Sequence, residues 1–268
     1  TEFGTVACSD PNKSLLSKFV NAILPEFTDN DYSTLFKIGP DLFSICDTCF
    51  FRQVDTERLG HSPEKHDSNK FFGVNGQSAH PLMDENGDVW NIGFTLLTGL
   101  KFQVVKIPKG KNSKEMLKQA KVIATFPSRW NGSLGTLHSF GMSLNHIIFI
   151  EQPLVACMSK LLTALVKKTC VRDWLEWRGD DKNRFVIVSK NGKLYKTDFY
   201  SKDSFYFMHT INCFEEEGQI VVDIITYANA AVLDIFYLSN LRQNIIKPSE
   251  HPQLQRFVIP LIDDIKSV

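Results

Sequence analysis

The sequence predicts an all-β architecture, and three observations carry that prediction. Short apolar, often alternating runs follow one another along the 268 residues with turn residues between them. Asn86-Gly87 and Asn191-Gly192 each lie between two such runs, where Asn-Gly supplies the positive φ angles of a type I′ hairpin turn. Three histidines, His80, His138 and His209, stand in separate strand-like segments far apart in the chain. Strands at this density, with little helix between them, leave a sandwich, a barrel or a propeller. A propeller suits the histidines best, because the inner strands of successive blades end on one axis.

In chain order the expected strands are Leu35 to Ile38, Leu42 to Phe50, Val89 to Phe94, Phe102 to Ile107 and Lys121 to Phe126. They continue with His146 to Glu151, Arg184 to Ser189, Phe205 to Cys213, Gln219 to Thr226 and Arg256 to Leu261. Two segments read as helix instead. In Asn12 to Phe27, Leu15, Leu16, Phe19, Val20, Ile23, Leu24 and Phe27 recur at helical spacing. In Leu154 to Lys168 an apolar stripe runs beside Lys160, Lys167 and Lys168. Such stripes either pack on the body or lie in a membrane interface, and the apolar loop Gly93 to Leu100 adds a third patch of this kind. Peripheral membrane contact through Leu15, Leu16, Phe19 and 154–168 is therefore one expectation.

Composition narrows the function classes. Apolar residues make up 43% and there are 21 Phe, so the chain has the material for a packed core. Thirty basic side chains balance thirty acidic ones without a basic tract, which removes the electrostatic footprint of a nucleic-acid binder. Six scattered cysteines read as reduced thiols of a cytoplasmic protein. Cys46 and Cys49 form a Cys-x-x-Cys without a second pair, and both read as strand residues. The N-terminus, Thr1-Glu2-Phe3-Gly4, has no secretory leader pattern, and its lack of Met suggests a fragment or a processed chain. No run approaches the roughly 18 apolar residues of a membrane-spanning helix.

The histidines point to a metal. Neutral imidazole is the commonest protein ligand for iron, zinc and copper, and no His-Glu-x-x-His or paired Cys-x-x-Cys offers a local site. Ligands converging through space remain. A single buried histidine is more often a core residue bonded to backbone, so the weight rests on the surrounding motifs. His61 and His66 lie in a charged loop and read as solvated, and His146 and His251 read as ordinary.

Those motifs carry a resemblance. Val74-Asn75-Gly76-Gln77-Ser78-Ala79-His80-Pro81, His138-Ser139-Phe140-Gly141-Met142 and His209-Thr210-Ile211-Asn212-Cys213-Phe214-Glu215-Glu216 resemble, in order, the iron-ligand motifs of the carotenoid cleavage oxygenases. Trp90-Asn91-Ile92-Gly93, Tyr237-Leu238-Ser239-Asn240-Leu241-Arg242 and Arg256-Phe257-Val258-Ile259-Pro260-Leu261 extend the likeness along nearly the whole chain. It is nearest to the family's animal branch, which includes β-carotene oxygenases, the insect carotenoid isomerooxygenase and the retinal pigment epithelium isomerohydrolase.

The resemblance implies a seven-bladed β-propeller with Fe(II) on its axis and apolar helical or loop insertions on one face. Residues 1–268 would be the central part of that single domain, with N- and C-terminal portions missing. It implies His80, His138 and His209 as catalytic iron ligands, a fourth histidine outside this sequence, and Asp47 beside a ligand ring. Family members carry Glu at that place, and the shorter Asp47 suggests contact through a water. The implied activity is cleavage of a carotenoid C=C bond with O2, on β-carotene or a xanthophyll, to retinal-type aldehydes. A retinoid isomerohydrolase and a carotenoid-binding protein without catalysis are the alternatives. The implied location is cytoplasmic, peripheral on membranes at most.

Overall fold

The computed structural model describes Ser14 and residues 33–96, 99–160, 171–195, 199–245 and 251–261. Among them lie five sheets, and every pairing between their strands is antiparallel. The first is a meander of β1 (Thr34–Ile38), β2 (Asp41–Ile45), β3 (Phe50–Asp55) and β4 (Gly60–Asp67). The second runs β5 (Gly76–Gln77), β7 (Val89–Thr95), β8 (Lys101–Ile107) and β9 (Lys121–Pro127), with β6 (Leu82–Met83) also on β7. The third joins β10 (Ser133–Gly135), β13 (Leu154–Cys157) and β14 (Leu175–Trp177). Interleaved with it in sequence, the fourth joins β11 (Gly141–Met142), β12 (His146–Glu151), β15 (Arg184–Ser189) and β16 (Phe199–Tyr200). The fifth consists of β17 (Tyr206–Glu216), β18 (Gln219–Tyr227) and β19 (Gln253–Pro260).

Period-2 alternation explains how the sheets stack. In β7, Val89 joins the core shared with the first sheet, while Trp90 and Ile92 face the core shared with the fourth. Strand β12 is buried on both faces. Ile147 and Phe149 pack toward β7 and β8, and Ile148 and Ile150 pack toward the fifth sheet. Phe149 meets the Phe102 ring at 4.4 Å and the Phe126 ring at 5.7 Å. Burying each such side chain contributes about 2 kcal/mol of transfer free energy, which is why a continuous apolar run sits here. The helix Ser113–Lys118, capped by the Asn112 side chain, closes the first core with Met116 and Leu117.

Several expectations need correction. Leu42 to Phe50 is two strands, because Cys46 to Cys49 leave the ladder to form a connection, and the two thiols flank it as buried residues. The Asn-Gly turns are not type I′. In both, the glycine amide donates to the carbonyl three residues back, Asp84 or Ser189, and a bond between residues 84 and 88, or 189 and 193, closes the loop. Only Gly87 (φ 83°) and Gly192 (φ 94°) take positive φ, so each is a type I turn with a glycine bulge.

Leu154 to Lys168 is not one helix. Leu154 and Val155 are fully buried in β13, paired with Trp177 and Gly135, so they cannot face a membrane. Gly93 and Phe94 belong to β7, and Leu96 and Leu100 pack on the second core, so these residues form no separate patch, while Leu97 and Thr98 lie outside the described residues. His66 is not solvated: it lies in β4 and stacks on Phe51 at 5.1 Å. Leu15, Leu16 and Phe19, and residues 161–168, lie outside the described residues. No helix among the described residues is long and apolar enough to cross a membrane.

Candidate metal centre

His80, His138 and His209 come together, although 58 and 71 positions separate them in turn. Their ring centroids stand 4.7, 4.8 and 4.9 Å apart, an almost equilateral triangle, and one nitrogen from each ring lies within 4.8 Å of the others. Each reaches the cluster by a different local device. His80 follows β5 and precedes Pro81, whose ring holds the preceding residue in an extended conformation. His138 sits in the connection between β10 and β11. His209 lies in β17 where the pairing with β18 slips between Phe207 and Thr210, and such a bulge re-aims a side chain out of the ladder.

Asp47 comes from the connection between β2 and β3. An isolated bridge between Thr48 and Gly76 fastens that connection to β5. Only glycine allows so close an approach, since a Cβ on Gly76 would stand 3.0 Å from the Asp47 carbonyl oxygen and closer still to the Phe94 ring. The Asp47 carboxylate then contacts His138 directly, Oδ2 to Nδ1 at 2.9 Å, rather than through a water. Its other oxygen accepts the Ala79 amide at 3.1 Å, so one carboxylate holds both a ring and the backbone beside His80.

These contacts fix which nitrogens are free. With Nδ1–H of His138 donated to Asp47, its Nε2 carries a lone pair. Nδ1 of His80 faces the Thr34 hydroxyl at 3.4 Å, and its Nε2 points at Nε2 of His138 across 3.1 Å. Without a metal a proton on Nε2 of His80 can bridge the two nitrogens, and a cation can take that proton's place. Nitrogens each about 2.1 Å from one ion at a right angle would stand about 3.0 Å apart, so the His80 and His138 pair fits a shared metal, with the His209 ring beside them. Burial, with the neighbouring His138 and His209, pushes the His80 pKa down to about 4, and burial lowers that of His209 as well. His80 is therefore neutral at pH 7, the form that binds a metal, and the shift of His209 runs in the same direction.

Two serines with no conspicuous sequence signal tie these segments together. The Ser78 hydroxyl donates to the His138 carbonyl at 2.5 Å and accepts the His80 amide at 3.0 Å. The Ser139 hydroxyl donates to the Met208 carbonyl at 2.5 Å and accepts the Thr210 amide at 3.1 Å. Serine is too common in strand connections to be singled out, and only adjacency to the histidines could have drawn attention to these two.

His146 does not join the cluster. It is buried between sheets, with Nδ1 at 2.9 Å from Glu215 and Nε2 at 3.1 Å from the Tyr195 hydroxyl. His251 is exposed. Cys49 and Cys213 are held as thiols, since burial pushes both up to about 12, with Asp67 adding to the effect on Cys49 and Glu215 to that on Cys213.

Comparison with known proteins agrees on a family. Residues 7–267 match the family described as retinal pigment epithelial membrane protein. The chain is 34% identical over 274 residues to the β,β-carotene 15,15′-dioxygenase of Gallus gallus, covering 97% of this chain and 52% of that protein. It is 35% identical over 271 residues to the mitochondrial carotenoid-cleaving dioxygenase of Mustela putorius furo, covering 97% and 50%. The chain thus spans about half the length of the curated relatives it matches. Among solved structures, the lignostilbene dioxygenase of Pseudomonas brassicacearum superposes with a TM-score of 0.67 at 16% identity, over 91% of this chain and 48% of that one. A variant of the Synechocystis apocarotenoid oxygenase gives 0.65 at 17% identity, over 97% and 52%.

Proposed function

Since the chain belongs to the retinal pigment epithelial membrane protein family, the family of the carotenoid oxygenases, we propose that it carries the metal-binding part of a carotenoid dioxygenase. The substrate is a carotenoid, β-carotene or a xanthophyll, and the reaction adds both atoms of O2 across one C=C bond to leave two carbonyl fragments of retinal type. The observation that carries this reading is the triangle of three imidazoles with the Asp47 carboxylate behind one of them.

In this reading His80, His138 and His209 hold Fe(II) on the axis of a seven-bladed propeller, to which the five sheets contribute. Bound there, ferrous iron supplies activation of dioxygen beside an alkene, and neutral ligands leave its positive charge undiminished. The chain's own residues do the placing. Asp47 keeps the His138 lone pair turned inward, and the hydroxyl of Thr34 faces the outer nitrogen of His80. Among the described residues Cys46, Cys49, Cys157 and Cys213 form no disulfide, which fits a reducing compartment such as the cytoplasm.

The test is product analysis with the full-length protein and β-carotene. The proposal expects aldehydes whose formation needs O2 and whose carbonyls carry label from ¹⁸O2 gas. Turnover that continues without O2, or pigment retained uncleaved by the iron-loaded protein, would refute it.

A further inference from the structure

Three ligand-bearing segments from three sheets must hold their rings in one triangle, and two hydroxyls link them. We propose that Ser78 and Ser139 are positioning residues which set the spacing of His80, His138 and His209 and so the geometry of the metal they bind. The inference rests on the metal reading above and concerns residues that touch neither metal nor substrate.

Ser78 accepts the amide of His80 at 3.0 Å and donates to the carbonyl of His138 at 2.5 Å, so one oxygen joins the backbones of two ligands. Ser139, next to His138, donates to the Met208 carbonyl at 2.5 Å and accepts the Thr210 amide at 3.1 Å, gripping the peptide on either side of His209. The two hydroxyls form a chain in which His80 is tied to His138 and His138 to His209. Both serines are almost completely buried, at 0% and 5% exposure, so water cannot readily replace either link.

The β17 backbone most needs such a grip. Where β17 slips against β18, between Phe207 and Thr210, the ladder no longer fixes the chain, and Ser139 supplies a donor and an acceptor across that gap. Ser78 is itself anchored, since its amide donates to the Ile92 carbonyl at 2.8 Å and its carbonyl accepts the Asn91 side chain at 3.1 Å. The triangle is thereby referenced to β7, a strand with every residue but Phe94 buried.

The experiment uses the full-length protein, stripped of metal and titrated with Co(II), whose visible ligand-field spectrum reports coordination geometry independently of turnover. Ser78→Ala and Ser139→Ala should each bind Co(II) about tenfold more weakly, and the spectrum of the saturated site should shift in band position and intensity. Ser139→Cys differs from wild type by one atom and hydrogen-bonds poorly, so it should behave as the alanine variant does. Ser139→Thr keeps the hydroxyl and should restore both affinity and spectrum. A residue that only stabilised the fold would lower the melting temperature and leave the saturated spectrum alone. Wild-type affinity and an unchanged spectrum in the alanine and cysteine variants would overturn the proposal. If wild type itself bound no Co(II), the metal reading would fall, and the serine proposal with it; binding that is lost in His138→Ala but untouched in the serine variants would fault the serines alone.

Discussion

Two histidines in this molecule have the same kind of first partner and different fates. Nδ1 of His138 stands 2.9 Å from Asp47, and Nδ1 of His146 stands 2.9 Å from Glu215. The second nitrogen separates them. In His138 it faces Nε2 of His80, a second imidazole, at 3.1 Å, whereas in His146 it faces the Tyr195 hydroxyl at 3.1 Å, a group able to donate to it. The first lone pair faces another ligand-type nitrogen, with which it can share a cation or a proton, and the second is satisfied by a hydroxyl. A carboxylate behind an imidazole therefore does not identify a ligand; the partner of the far nitrogen does.

The surroundings repeat the contrast. His146 lies in β12, buried on both faces, and its Glu215 also accepts from Ser143 and Asn145, so the whole group pins the fourth sheet to the fifth. His138 lies in a connection with its side chain 19% exposed, and its neighbours are the ends of other sheets rather than a packed face. One group is built for cohesion and the other for access.

The sharpest way to break the comparison is to delete each ring. His138→Ala should abolish stoichiometric iron in the full-length protein, and His80→Ala or His209→Ala should do the same. His146→Ala should keep its iron and lose about 1–3 kcal/mol of stability, since buried partners are left unpaired. Metal analysis and urea unfolding on the same preparations check both halves; iron lost from His146→Ala at unchanged stability would invert the assignment.

Exchanging the carboxylates is a smaller perturbation. Asp47→Asn should weaken metal binding by about 10-fold to 100-fold, because the amide can present an N–H where Nδ1–H of His138 needs an acceptor. Glu215→Gln should leave metal affinity unchanged. Chelator competition measures both, and equal losses would show that the two pairs do one job.

The mildest test uses pH. Burial pushes Glu215 up, but hydrogen bonds from Ser143, Asn145 and His146 outweigh it and hold the carboxyl at about 2. A carboxyl depressed by folding contributes stability that is complete above its ordinary value near 4.5 and fades as pH falls toward about 2. The stability difference between wild type and Glu215→Gln should therefore shrink between pH 5 and about 2.5. Unfolding by urea across that range reads it, and a constant difference would show that Glu215 gains nothing from ionisation.

How much of this was legible in the sequence differs between the two regions. Strands such as β7, β8, β12 and β15 announce themselves through alternating or continuous apolar residues, because both faces are filled by core. The break at Cys46 to Cys49 does not, since apolar residues on either side hide a connection whose purpose is to carry Asp47 to His138. Leu154 to Lys168 misleads for a related reason: a short apolar run fits a strand buried on both sides as well as it fits a helix. The three histidines were readable only through their motifs. The His138 to Asp47 contact and the two serine links depend on where loops from different sheets meet, which local pattern does not encode.

The most direct test of the central claim is anomalous diffraction at the iron edge from crystals of the full-length, iron-loaded protein. The account predicts one peak within about 2.2 Å of Nε2 of His80, Nε2 of His138 and a ring nitrogen of His209, with none at His146. A peak elsewhere, or an empty histidine triangle in protein that retains its iron, would contradict it.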